Sequence, residues 1–403
     1  MLTSYTPAQK TICAFLLSVV ILLSYLIYTV SVQSHLDVSL GDLKVDAIYQ
    51  RAVQRDDGSV ELVLHIPNSN GVMSSIEKSQ NFKIIPERYK SKRESKNDTK
   101  KSPAKKTQYP LTVASPYIIN SPNLCKNVTN LTFLTIVHTA TDHFDRRRII
   151  RETWANKKLF KSISSRIVFV FGLTRDPNIQ ALLENEQVVH GDIVQGDFLD
   201  HYHNLTHKGV LAFRWVSEYC DHSKIVVKID DDVFLNPFLL LQNIIPKYKD
   251  KKRFMLCHVR KKGTSGIMRG KNYKWNVESD QFRGYKNYPV NYCNGYFVLI
   301  SPDIISAMYR ASWLTPFFWV DDVYLYGLLP SKIGHVTHED IRSHMTLNMN
   351  IGKKCYADPK PCNLMVVNAW KPGAAEEMWM NILKKLTKEQ KQLVNDDFLF
   401  THN

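Results

Sequence analysis

Hydrophobic and polar positions divide the chain into three regimes. Residues 12–30 are uncharged and dense in Ile, Leu, Val, Phe and Tyr, whereas residues 87–106 are polar and basic with almost no apolar side chain. From about residue 130, short apolar runs alternate with stretches of helical periodicity. Residues 131–137 read as a first strand, 145–154 as a helix with Ile150 and Trp154 on one face, and 165–171 as a second strand closed by Gly172. A short helix over 179–185, a less regular strand over 188–194 and a helix over 205–220 follow. The run from Lys224 to Phe234 is then a mostly β-branched strand that ends in Asp230, Asp231 and Asp232. It alternates poorly, as a strand covered on both faces does. A helix over 238–245 and strands over 253–259 and 291–301 complete the pattern, and upstream 60–66 fits one strand or a short helix. This alternation predicts an α/β fold, a Rossmann-like parallel sheet whose ligands sit beyond the C-terminal strand ends. The three aspartates fall at such an end.

Composition refines the organisation. The chain has 403 residues, enough for one large domain or two modest ones. The expected division is a cytoplasmic tail (1–11), a single transmembrane signal-anchor helix (12–30), a flexible lumenal stem (31–125), the folded domain (126–385) and a C-terminal tail (386–403). The apolar run roughly matches a bilayer core of about 30 Å. A cleaved signal peptide, with its shorter apolar core, is the rival reading. Lys10 before the run and Asp37, Asp42 and Asp46 after it favour a cytosolic N-terminus. Much of the net charge of +15 is local, and the basic stretch 87–106 reads as a solvated spacer. A heparin- or nucleic-acid-binding patch is its rival; the lack of interleaved aromatics and the lumenal placement argue against nucleic acid.

Six cysteines follow the apolar run: Cys125, Cys220, Cys257, Cys293, Cys355 and Cys362. An even number fits oxidised pairs, and Cys355 and Cys362 are close enough to close a small loop, but the pairing stays open. The absence of paired CxxC motifs argues against structural zinc. Acceptor sequons at Asn97, Asn127, Asn130 and Asn204 agree with a lumenal domain.

Two acidic stretches carry the candidate chemistry. Three carboxylates in a row repel one another, and a divalent cation with oxygen ligands, Mg2+ or Mn2+, would compensate them and could neutralise a phosphate-bearing substrate. An Asx-rich turn after a core strand is the structural alternative. Asp321 and Asp322 stand inside an apolar run, where one could act as a general base and the other could cap a helix beginning at Val323. Arg147, Arg148 and Arg151 suit a pyrophosphate or nucleotide contact, or equally a solvated basic helix. Trp275, Phe282, Tyr285 and Tyr288 could line a sugar-binding floor or belong to the core.

Five ordered blocks resemble those of the inverting β-1,3-glycosyltransferases, the β-1,3-galactosyltransferase and N-acetylglucosaminyltransferase family (glycosyltransferase family 31). They are Arg147 to Trp154, Phe169 to Gly172, Gly191 to Lys208, Lys228 to Phe234 and Tyr288 to Tyr296, within a resemblance running from about Phe133 to Trp379. The resemblance implies a GT-A type Rossmann-like nucleotide-sugar-binding domain behind a transmembrane helix and stem, in the Golgi membrane with single-pass type II topology. It implies Mn2+, with Mg2+ as the substitute, held by Asp232 and Asp230. It implies a UDP-sugar contacted by Arg147, Arg148, Arg151, Asp230 and Asp231, and Asp322 as the base. The implied partners are UDP-galactose or a related nucleotide sugar and a glycan on a glycoprotein or glycolipid, with no nucleic acid; self-association stays open. N-acetylglucosamine or N-acetylgalactosamine transfer, and a silent glycan-binding relative, are the alternatives. Two positions depart from the family pattern. Gly327 comes one residue late after the acidic pair, and Asn368 stands where many members have a metal-assisting histidine, so Asn368 or His344 is the third-ligand candidate.

Overall fold

The computed structural model describes residues 109–398, apart from 114 and 271, and three short strands between residues 49 and 75. Two compact units divide between Ile85 and Pro86. In the first, β1 (Tyr49–Gln54), β2 (Val60–Pro67) and β3 (Met73–Ser75) form an antiparallel sheet in that order, so the 60–66 stretch is strand. The apolar run 12–30, the basic stretch 87–106 and Asn97 lie outside the described residues. Among the described residues no helix is long and apolar enough to cross a membrane. The expectation of a transmembrane signal-anchor, and with it membrane anchoring and a single-pass type II Golgi placement, is corrected accordingly: what the structure describes is an α/β domain without a membrane-spanning helix.

The second unit is built on an eight-stranded sheet. Its strands are β4 (Tyr117–Ile119), β5 (Leu131–His138), β6 (Ser164–Leu173), β7 (Ile193–Leu199), β8 (Val226–Asp230), β10 (Phe254–Arg260), β11 (Tyr292–Ile300) and β12 (Thr337–Asp340), with β9 (Val233–Leu235) outside it. The spatial order is β12-β10-β11-β8-β5-β6-β7-β4. The four strands β8-β5-β6-β7 run parallel, and β4 and β11 join them antiparallel on either side. The sheet thus includes β4, upstream of residue 126. Because the chain steps from β5 to β6 on one side and later to β8 on the other, a crevice opens at the C-terminal ends of β5 and β8. Alternate residues of β5 explain its unbroken apolar run: Phe133 and Val137 join one core cluster, Leu134 and Ile136 the other.

Helices cover both faces. α1 is Phe144–Glu152, α2 Pro177–His190 and α3 Leu205–Tyr219. Val188 to His190, expected to open a strand, are instead the last turn of α2. Asp176 caps that helix through Asn178 N, Pro177 opens it and left-handed Gly191 (φ 64°) ends it, so β7 starts only at Ile193. Further on, α4 spans 237–248, α5 is Ile305–Ser312 and α6 spans 321–333. A small second sheet of β13 (Met345–Thr346), β14 (Val366–Asn368) and β9 lies C-terminal to β8 in the chain order. All six downstream cysteines pair, as Cys125–Cys220, Cys257–Cys293 and Cys355–Cys362.

The basic block of α1 is mostly internal. Arg147 is fully buried; its guanidinium donates to both oxygens of Glu186 (Nε 2.9 Å, Nη2 2.8 Å) and to the Ala140 carbonyl at 2.6 Å. Arg151 donates to Glu186 at 2.6 Å and grips Asp192 with two bonds of 2.7 and 2.8 Å. Burial raises the Glu186 pKa, but its bonds from Arg147 and Arg151 outweigh that and hold it below the usual range. Its stabilising contribution is therefore full above the ordinary glutamate pKa and is lost as pH falls through the depressed value. Arg148 is exposed and, among the described residues, pairs only with Asp145 and Glu152 on its own helix. Arg147→Ala leaves Glu186 with Arg151 as its remaining partner, opens a cavity in the core and frees the Ala140 carbonyl, and is expected to cost about 3 kcal/mol; Arg148→Ala, next door, is expected to stay within about 0.5 kcal/mol. Urea unfolding of the two variants checks this, and equal losses would show that Arg147 does not carry the network.

Candidate active site

The crevice gathers the two acidic stretches around one lysine. Lys228 lies on β8 with its side chain buried; its Nζ donates to Asp230 Oδ1 at 2.6 Å and to the Gly295 carbonyl on β11. Burial pulls the Lys228 pKa down, yet the carboxylates of Asp230, Asp321 and Asp322 more than offset it, and the ammonium stays charged.

The three aspartates of the β8 end have three different surroundings. Asp230 pairs with Lys228. Asp231 is saturated by the loop after β5 and the first turn of α1: Thr139 Oγ1 donates at 2.6 Å, His143 Nδ1 lies 2.6 Å away and Arg146 Nη1 donates at 2.8 Å. Burial pushes the Asp231 pKa up, but these bonds and the Arg146 charge win and hold it below the usual range. Asp232 is different. Burial and the charges of Asp230 and Asp231 raise its pKa, with Arg146 opposing, and no salt bridge to its carboxylate exists among the described residues.

Asp321 and Asp322 open α6, in the first turn where the helix dipole favours negative charge. The cap position itself is Val320, which offers no side-chain bond, so the expected capping by Asp321 is not what the structure shows. Asp322 Oδ1 accepts from Gly295 N at 2.9 Å. Burial raises both carboxyls; for Asp322 the neighbouring Asp321 charge adds to it, and Lys228 opposes. Gly295 has to be glycine, because a Cβ there would stand 2.1 Å from Asp322 Oδ1. After the pair, α6 passes through a π-helical turn, Tyr324–Leu328, which absorbs one extra residue. Gly327 lies within that turn, and a Cβ there would sit 2.9 Å from Tyr292 Cβ.

The arginines expected at the nucleotide are not all brought here. Arg147 and Arg151 are spent on Glu186 and Asp192, and Arg148 faces solvent. Arg146, not singled out from sequence, is the one that reaches Asp231. Asn368 pairs in register with Val233, and the Asp232 carbonyl accepts from Ala369 N at 2.7 Å, so Asn368 adjoins the triple. Its side-chain oxygen takes the Trp370 N–H at 3.2 Å. His344 lies beside Met365, about 10 Å back along β14 at ~3.3 Å per residue, and its Nδ1 is 3.2 Å from the Asn363 carbonyl. Asn127 and Asn130 are exposed, whereas Asn204 donates its Nδ2 to the Leu199 carbonyl at 2.8 Å. Within the block from Gly191 to Lys208, Asp200 and Lys208 are scaffold: Asp200 accepts from Gly172 N at 2.6 Å and pairs with buried Lys208, which also donates to the Thr139 carbonyl at 2.6 Å.

Among the described residues no group of three or more His, Cys, Asp or Glu is placed to hold a metal. The donor set present is two carboxylates, Asp230 and Asp232, and the unneutralised charge on Asp232 suits an oxygen-seeking divalent cation. Sequence reasoning missed Lys228, Gly295 and Arg146 as site residues. Lys228 and Gly295 carried a signal, one buried in an apolar strand and the other inside an aromatic run.

Residues 145–341 match the galactosyltransferase family. The chain is 31% identical over 271 residues to beta-1,3-galactosyltransferase 1 of Homo sapiens and of Mus musculus, covering 67% of this chain and 79% of each relative. It is 30% identical over 238 residues to the lactosylceramide 1,3-N-acetyl-beta-D-glucosaminyltransferase of Mus musculus, covering 56% of this chain and 61% of that one. With the crevice and its two acidic halves in place, the chain belongs to the galactosyltransferase family and is a UDP-sugar-dependent, inverting β-1,3-glycosyltransferase.

Proposed function

We propose that this enzyme moves galactose from UDP-galactose to the 3-hydroxyl of a glycan on a glycoprotein or glycolipid. The observation that carries the reading is the joining of the Asp230–Asp232 end of β8 to Asp322 through Lys228 and Gly295. Galactose rather than N-acetylglucosamine is favoured by the longer match to the galactosyltransferases. Asp232, with Asp230 beside it, would hold Mn2+ or Mg2+, and the bound cation supplies positive charge to the departing diphosphate.

The residues of this chain divide the work. Asp322 accepts the proton of the acceptor hydroxyl as that oxygen attacks the anomeric carbon from the face opposite UDP, so an α-linked donor gives a β product. Its raised pKa makes it a stronger base than an ordinary aspartate. The Gly295 N–H fixes the direction of that carboxylate. Lys228 holds the acidic halves together without being consumed, and Asp231 straps β8 to the loop after β5.

Asp322→Asn is expected to lower transfer by at least about 100-fold, the usual scale for a lost general base, while UDP binding by calorimetry is retained. Loss of UDP binding with turnover preserved would place Asp322 in the wrong half. The pH profile gives a second check. Because the Asp322 carboxyl is raised, it is protonated as pH falls through that raised value, and kcat/KM is expected to decline at a pH above the ordinary aspartate value of about 4. An acid limb at the ordinary value would contradict Asp322 as the base.

A further inference from the structure

The segment 261–291, between β10 and β11, carries seven Lys or Arg against two acids, Glu278 and Asp280. It is not a loose loop. The Cys257–Cys293 disulfide joins its two flanking strands, and Arg269 donates to the Glu278 and Gln281 carbonyls inside it at 2.7 and 2.9 Å. Trp319 Nε1 donates to the Asn276 carbonyl at 3.2 Å, which ties the segment to the chain two residues before Asp321. The Trp319 bond therefore fixes the excursion against the stretch that leads into Asp321 and Asp322.

Its tip makes a shelf of exposed rings. Trp275 is 48% exposed and donates its Nε1 to the Tyr202 hydroxyl at 2.8 Å, and Tyr202 is 39% exposed. Tyr202 and His203 pack edge-on against Trp319 at 6.4 and 4.4 Å between ring centres. Lys274 Nζ stands 4.3 Å from the centre of the Tyr202 ring and 5.6 Å from that of Trp275. Among the described residues no carboxylate pairs with Lys274, so its charge is balanced only by the two ring faces. Contiguous exposed aromatics mark a binding surface. Sugar rings lay their C–H faces on such rings, and a cation between them adds a preference for negative charge.

We propose that this shelf is the acceptor subsite and that it selects a glycan bearing an acidic group, a sulfate or a carboxylate, which pairs with Lys274. The proposal rests on the reading that the enzyme glycosylates a glycan, and names the class of that glycan. Tyr202 and Trp275 supply stacking for any sugar; Lys274 supplies the discrimination.

The test is a titration of the full-length protein with three matched β-galactoside oligosaccharides: neutral, sulfated and uronate-bearing. At low salt one or both acidic forms are expected to bind about fivefold more tightly than the neutral one, the upper range for a single exposed ion pair. The two acidic arms show which anion is preferred. Lys274→Gln is expected to bring the acidic and neutral sugars to equal affinity, whereas Trp275→Ala weakens all three. Equal binding of all three sugars, or a preference that survives Lys274→Gln, overturns the proposal. UDP-sugar turnover is measured on the same protein. Acidic preference without turnover would count against the proposed function and leave the subsite standing; turnover without acidic preference would do the reverse.

Discussion

Everything at this site depends on a buried ammonium. Lys228 sits in the middle strand of the crevice, where an unpaired charge would be prohibitive, and it stays charged because three carboxylates surround it. The dependence runs both ways. Asp321 and Asp322 are raised by burial, Asp322 further by its neighbour, and the Lys228 charge opposes the rise in both. By bonding Asp230 and the Gly295 carbonyl together, Lys228 links β8 to β11, the very strand whose amide orients Asp322. The antiparallel insertion of β11 beside β8 is thus what brings the end of β8 and Asp322 to one crevice.

The carboxylates around this lysine show how environment assigns roles to identical side chains. Asp231 is saturated by protein donors and held in its charged form, so it is a strap. Asp232 has its charge left over and is the group that gains most from a cation. Asp322 is raised by burial and by Asp321, which gives it the basicity of a proton acceptor. Nearby, His138 is buried against Lys208 and Lys228, with burial and both cations holding its pKa well below the usual value, so it adds no further charge to the crevice.

How much of this could be read in the sequence follows from the range of the forces involved. Strands β5, β6 and β8 and helices α1 and α3 were legible because apolar periodicity is local, and the two acidic stretches stood out because carboxylates at the ends of apolar runs are costly. The Val188–Val189 pair misled because β-branched residues suggest a strand, yet Asp176, Pro177 and Gly191 mark the helix ends and both valines are exposed. The arginine block misled for a different reason. Arg147 and Arg151 look like ligand contacts until Glu186 and Asp192, some forty residues away in sequence, arrive to meet them. Gly295 and Gly327 stood out in the sequence, but the close approaches that require them did not, because close approach is a property of packed elements and no single segment encodes it.

The central claim is that the β8 carboxylates and Asp322 flank one sugar from opposite sides. The most direct measurement is a crystal structure with Mn2+ and an unreactive UDP-sugar analogue, with anomalous scattering collected at the manganese edge. The account predicts a single anomalous peak within ligand distance of the Asp232 carboxylate, and the Asp322 carboxylate across the anomeric carbon from the diphosphate. A manganese peak remote from Asp232, or Asp322 on the same side of the sugar as the diphosphate, would contradict it.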